Sequence, residues 1–365
     1  MTGLIIKKQR EAMQTALSWH NFMLVGPAGT GKSYVINNIY HELKAQGKTV
    51  FLTCTTGIAC TNFGLHAQTI HRWAGLEDGR YTSKEICNLI KHSPKYSRTL
   101  QCIVSADVLI IDEISMLSAK LFEQLGAICS IKDPSRLFGG IQIIVSGDFF
   151  QLAPVPNKEY KDEGAMCFTS PLFEKVLPHK VVLTEVVRQD NECFIKAIHE
   201  VSKGTVSPET ISFIKKLERP FPVGPDSSVV LFANNDLVNI YNRREILKCP
   251  GQIREFVSED SGDIRVLIKS NAPPRLWLKE GCPVILIRNL SKTLVNGLQG
   301  KVVDFEEGCP VVHFPSISCT TKLEKVSFTV FNPDKNMTIA TRVQVPLKLA
   351  YAITIHKAQG MTLDR

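Results

Sequence analysis

Apolar and polar positions divide this chain into two regimes. Through the first 170 residues, short strand-like runs rich in apolar residues at 22–25, 48–53, 108–111 and 140–147 alternate with segments of helical period such as 7–13 and 34–40. Strands without polar alternation are buried on both faces, so the pattern predicts a parallel sheet flanked by helices. Residues 76–105 are polar and mixed, with Gly79 and Pro94, and read as an excursion from the sheet. Residues 220–226 are rich in Pro and Gly and read as a linker, followed by a strand at 229–233 and an amphipathic helix at 235–242. From about 250 to 345 the period shortens. Pieces at 283–287, 300–305, 310–314 and 326–330 alternate with turns such as 332–336, the pattern of a small β barrel. Motor-like sequence returns at 346–364.

Composition narrows the class. The 365 residues, 44% of them hydrophobic, supply two or three real cores. No apolar run approaches the roughly 20 residues of a membrane span, and the first residues do not resemble a signal or transit peptide, so no membrane partner is expected. A nuclear or cytoplasmic location is expected, with a mitochondrial one left open. Eleven cysteines without a C-x-x-C pair read as reduced thiols rather than disulfides or a zinc site. A net charge of +8 permits a polyanionic partner without requiring one.

The chemistry centres on Gly26-Pro27-Ala28-Gly29-Thr30-Gly31-Lys32-Ser33, which fits G-x-x-x-x-G-K-[ST] between a strand and a helix. Backbone N–H groups of such a loop converge on phosphate oxygens, Lys32 reaches the terminal phosphates, and the Ser33 hydroxyl suits Mg²⁺; ATP and Mg²⁺ are therefore the expected cofactors. Gln9, 17 residues upstream, has an amide able to read the edge of adenine, although alone it would pass for a surface residue. The strand at 108–111 ends in Asp112 and Glu113, which suit Mg²⁺ binding and activation of the attacking water. Gln151, after the strand at 140–147, is placed to sense the γ-phosphate. Thr55, Thr56, Thr69, His71 and Trp73 combine hydroxyls, a cation and an aromatic face, as a single-strand groove does. Two readings stand for them: the threonines as simple helix caps, and Trp73 as core.

Together with Asp112-Glu113-Ile114-Ser115-Met116 and Gly147-Asp148-Phe149-Phe150-Gln151-Leu152, these motifs resemble in order those of superfamily 1B helicases, most closely the PIF family and its RecD-like relatives. The resemblance implies an α/β fold: two RecA-like parallel-sheet motor domains, with a small SH3-like β barrel inserted in the second. The domains it suggests are 1–172, then 173–250 with 346–365, and the insertion at 251–345. It implies a catalytic role for Arg188, within Leu183-Thr184-Glu185-Val186-Val187-Arg188-Gln189, as the arginine that meets the γ-phosphate. It assigns Asn296, Thr354, His356 and Lys357 to DNA, and Gln359 and Gly360 to nucleotide.

Implied is a monomeric ATP-driven translocase moving 5′ to 3′ on single-stranded DNA and opening forked or structured DNA. The family's next motif, with a second γ-phosphate arginine, would follow Arg365. A second expectation is therefore a nucleotide-dependent single-strand-binding protein with little turnover.

Overall fold

The apolar runs of the N-terminal half pair side by side in a computed structural model, which describes residues 7–187, 189, 191–218, 229–291, 293–332 and 337–359. The chain forms two compact units, Met1–Pro222 and Val223–Arg365. The first begins with α1 (Lys7–Leu17), β1 (Phe22–Val25), α2 (Lys32–Ala45), β2 (Val50–Cys54), α3 (Gly57–Thr61), β3 (Ala67–Thr69) and α4 (Ile70–Ala74). It continues through α5 (Ser83–His92), α6 (Ser97–Ser105), β4 (Val108–Asp112), α7 (Ala119–Cys129), β5 (Gln142–Gly147), α8 (Pro171–Val176) and β6 (His179–Val182), and closes with α9 (Glu192–Lys203) and α10 (Pro208–Leu217).

Six strands make one parallel sheet in the order β3-β2-β4-β5-β1-β6. Alternate residues of β4 enter opposite cores: Leu109 and Ile111 pack with Trp73, Phe122 and Phe138, while Val108 and Ile110 pack with Phe22, Ile36 and Leu52. Each such side chain contributes roughly 1.5–3 kcal/mol by leaving water, which is why the central strands are predominantly apolar on both faces. Strand polarity then delivers Val25, Cys54, Asp112 and Gly147 to the same edge.

Two sequence expectations change and a third gains detail. The sheet has six strands rather than four, because β3 is only three residues long and β6 buries only Val181, leaving no apolar run to read. The boundary at 172 falls inside the first unit, since β6 pairs with β1 from Phe22↔His179 to Val25↔Val182. The excursion at 76–105 is helical and packed: Ile86 and Ile90 of α5 and Ile103 of α6 share the core with Trp73, and a Thr82–Glu85 capping box starts α5.

The second unit opens with β7 (Val230–Phe232) and α11 (Asn235–Lys248), then turns antiparallel in β8 (Arg254–Val257), β9 (Glu259–Gly262), β10 (Arg275–Leu278), β11 (Pro283–Leu286), β12 (Gln299–Glu306), β13 (Cys309–Phe314), β14 (Cys319–Lys322), β15 (Val326–Asn332), β16 (Met337–Gln344) and β17 (Leu347–Leu349). Sheets β14-β13-β12-β11-β17, β15-β16-β9 and β10-β8 result. Val284, Leu286, Val302, Val312, Phe314 and Leu347 share a core with Ile246 of α11. Because β17 pairs with β11, the β region runs to 349 rather than 345. The chain then re-enters parallel structure: β18 (Ala352–Thr354) pairs with β7 and leads into α12 (Ile355–Ala358). Two RecA-like domains with a small β insertion describe this architecture. The linker at 220–226 and the turn residues 333–336 lie outside the described residues.

Candidate nucleotide and nucleic-acid site

Gly31 sits at φ 84°, ψ 20° as the N-cap of α2, a left-handed turn that points the loop's following N–H groups into the first helical turn. Gly29 has φ 82°. Both positions need glycine for their backbone, and at Gly31 space also matters, because a Cβ would come within 2.7 Å of Gln9 Nε2. Gln9 is buried, and its amide donates to the Thr30 carbonyl at 3.3 Å, so α1 is tied to the loop that carries Pro27 and Ala28. Thr30 is buried too, and its hydroxyl donates to the Pro27 carbonyl at 3.0 Å. Lys32 Nζ donates to the carbonyls of Gly26 at 2.7 Å and Pro27 at 3.0 Å, which curls its side chain back across the loop.

Across the strand edge, the Ser33 hydroxyl donates to Asp112 Oδ2 at 3.3 Å. Asp112 is 2% exposed, and burial pushes its carboxyl above the usual carboxylate range while the Lys32 charge works against that shift. A hydroxyl beside a desolvated carboxylate is a donor set suited to a hard divalent cation. Glu113, next in sequence, is half-buried at φ 56°, ψ 40°. Gln151 follows β5, its side-chain amide donating to Asp148 Oδ2 at 3.2 Å.

The motif at 183–189, assigned to the γ-phosphate through Arg188, is held by backbone hydrogen bonds that no local pattern announces. The segment after β6 lies along the phosphate loop: Leu183 N–H donates to the Val25 carbonyl and Val187 N–H to the Gly29 carbonyl, both at 2.8 Å. A Cβ on Gly26 would stand 2.4 Å from the Leu183 carbonyl, so that glycine is required by close approach. The preceding strand, His179–Val182, gives little local warning of this path, since Val181 is its one buried residue. Arg188, the next residue along this strap, lies outside the described residues.

The nucleic-acid residues sort unevenly. Thr56 and Thr69 cap α3 and α4, accepting from Ala59 N–H and Arg72 N–H. Thr55 donates its hydroxyl to the Glu113 carbonyl at 2.9 Å. Trp73 is 1% exposed and packs on Phe51 with ring centroids 5.7 Å apart. It is therefore core, and the expectation that it stacks on a base is withdrawn: a side chain of that size, given a hydrophobic pocket, is held there. Burial pushes the His71 imidazole below its ordinary value, against the pull of Asp78, which favours the neutral ring. In the second unit Thr354 is buried at the end of β18, His356 is exposed, and Lys357 is half-buried with its ammonium pushed down by burial. Asn296 is exposed, its backbone N–H donating to Asn289 Oδ1 at 2.7 Å. Gln359 is half-buried, and Gly360 lies outside the described residues.

Two family profiles match the chain: one described as PIF1-like helicase over residues 5–211, and one described as DNA helicase Pif1, 2B domain, over residues 265–305. The ATP-dependent DNA helicase PIF1 of Danio rerio is 35% identical over 368 residues, covering 98% of this chain and 56% of that protein. Its Homo sapiens counterpart is 33% identical over 369 residues, covering 98% and 55%. The chain thus spans about half the length of the curated relatives it matches. The crystal structure of Pif1 helicase from Candida albicans aligns with a TM-score of 0.85 at 30% identity, covering 100% of this chain and 88% of that one. Bacteroides Pif1 bound to ssDNA aligns at 0.82 and 24% identity, over 100% and 85%, a likeness of fold. With more than half its length matched by the first profile, and the phosphate loop, Asp112 and Glu113 all inside the match, this chain belongs to the PIF1-like helicase family.

Proposed function

We propose that this protein is an ATP-dependent DNA helicase that moves 5′ to 3′ on single-stranded DNA and opens forked or structured DNA. The observation that carries this reading is the convergence of Lys32, Ser33, Asp112 and Glu113 at one strand edge, with Thr55 bridging to the segment assigned to DNA. The loop amides of residues 29–33 bind the phosphates, and Lys32 swings from the Gly26 and Pro27 carbonyls to the terminal phosphate as its replacement partner. Ser33 and Asp112 would hold Mg²⁺, which when bound neutralises phosphate charge. Glu113 orients the attacking water and takes its proton, and Gln151 reports on the γ-phosphate. Alternation between nucleotide states changes the grip on the strand, and repeated cycles become translocation. The DNA activity named for the vertebrate relatives supports the substrate.

The test is ATP turnover with and without single-stranded DNA, for the native chain, Lys32→Ala and Glu113→Gln, followed by strand displacement on forks with a 5′ or a 3′ tail. Stimulated turnover lost in both variants, and displacement only from the 5′-tailed fork, is the expected result. Near-normal hydrolysis by Glu113→Gln would remove the assignment, and displacement from the 3′-tailed fork would reverse the direction.

A further inference from the structure

Strands β2 and β4 run parallel with Cys54 opposite Asp112, so the residues that follow them, Thr55 and Glu113, emerge together. Thr55 bonds to this neighbour twice. Its N–H donates to the Asp112 carbonyl at 3.2 Å, and its hydroxyl donates to the Glu113 carbonyl at 2.9 Å. Those two carbonyls belong to the two peptide planes on either side of the Glu113 Cα. Rotation of the first plane sets φ of Glu113 and rotation of the second sets ψ, so one residue fixes both angles.

The angles fixed are φ 56° and ψ 40°, a left-handed conformation that costs an L residue roughly 1–2 kcal/mol and persists only where its surroundings impose it. Met116 N–H also donates to the Glu113 carbonyl, at 3.2 Å, but it holds only the second plane. The next residue, Thr56, caps α3. Thr55 therefore sits between a helix start on the edge assigned to DNA and the backbone of the residue assigned to water activation.

We propose that Thr55 is a positioning residue for ATP hydrolysis: it clamps both peptide planes of Glu113 and so transmits occupancy of the nucleic-acid edge to the carboxylate. This rests on the reading of Glu113 as the group that activates water. Thr55 acts through Glu113 and needs no contact with nucleotide. The residue pair is invisible to periodicity, because it depends on the parallel register of two strands 58 residues apart in sequence.

The experiment compares the full native chain with Thr55→Val, which swaps the hydroxyl for a methyl of similar size, Thr55→Ser, which restores it, and Glu113→Gln. Turnover is measured at saturating ATP and saturating single-stranded DNA, with KM for ATP and DNA affinity measured separately. A hydrogen bond worth about 1 kcal/mol predicts that Thr55→Val lowers kcat roughly fivefold, leaves KM within about twofold, and that Thr55→Ser recovers most of the rate. Weaker DNA binding by Thr55→Val with kcat unchanged at saturation would make Thr55 a DNA contact alone and overturn the proposal. If Glu113→Gln turns over like the native chain, the underlying reading of Glu113 fails instead. A crystal structure of Thr55→Val gives a readout independent of turnover: residue 113 leaving the left-handed region supports the clamp, and an unchanged φ and ψ overturns it.

Discussion

The Ser33 hydroxyl lies 3.3 Å from Asp112 Oδ2, joining the first turn of α2 to the end of β4 across 79 residues of sequence. Desolvation makes this carboxyl costly to ionise in the folded chain, so its charge is held for binding at the expense of stability. Because the folded carboxyl titrates above the unfolded one, the unfolded chain releases its proton first and stability falls as pH rises through the unfolded carboxylate range. Asp112→Asn should therefore stabilise the nucleotide-free protein, by on the order of 1 kcal/mol, while abolishing Mg²⁺-dependent turnover. Calorimetry and an ATPase assay on the same preparation check it; a destabilised Asn variant would contradict the argument.

Gly31→Ala should weaken ATP binding at least tenfold. The left-handed backbone costs roughly 1–2 kcal/mol with a Cβ, and the new methyl would press on Gln9 Nε2 from 2.7 Å, displacing the amide that touches the loop. Titration of a fluorescent ATP analogue measures the loss.

Trp73→Phe should leave single-strand affinity within about twofold and lower stability modestly. The indole is buried against Phe51, and its Nε1 has no hydrogen-bond partner among the described residues, so the smaller ring loses volume yet also sheds an unpaired donor. Trp73→Ala, by contrast, should cost about 3–5 kcal/mol. Chemical denaturation alongside DNA titration separates the two effects, and a tenfold loss of DNA affinity in a folded Phe variant would restore the stacking role.

Lys348, on β17, has its ammonium pushed down to about 8 by burial and then by the neighbouring charge of Lys357. Between about pH 8 and the ordinary lysine value, the unfolded chain carries a proton that the folded chain has released, so stability rises with pH across that window. Below it the folded chain carries a poorly solvated charge. Lys348→Met should accordingly be more stable than the native chain at pH 7, by on the order of a few kcal/mol, with the difference shrinking toward pH 10. Denaturant unfolding at the two pH values tests the sign; a gap that widens with pH would refute it.

Elements whose information is local can be read directly from the residues. A run such as Val108–Asp112 announces a central strand because both its faces must be apolar, and the loop from Gly26 to Ser33 announces phosphate because its glycines and lysine do one chemical task. The β region was equally legible, since turns and short apolar pieces repeat at close spacing.

Features that depend on partners far away in the chain emerge with the fold. Edge strand β6 carries little apolar signal and exists because β1 offers it hydrogen bonds, which moves the first boundary past 172. The fate of Trp73 turned on helices α5 and α6 closing over it, and no local pattern separates a stacking indole from a packed one. Thr55 reads from sequence as a phosphate contact, and only parallel register sets it beside Glu113. Residue type states what a side chain can do, and register and burial decide which of those things it does.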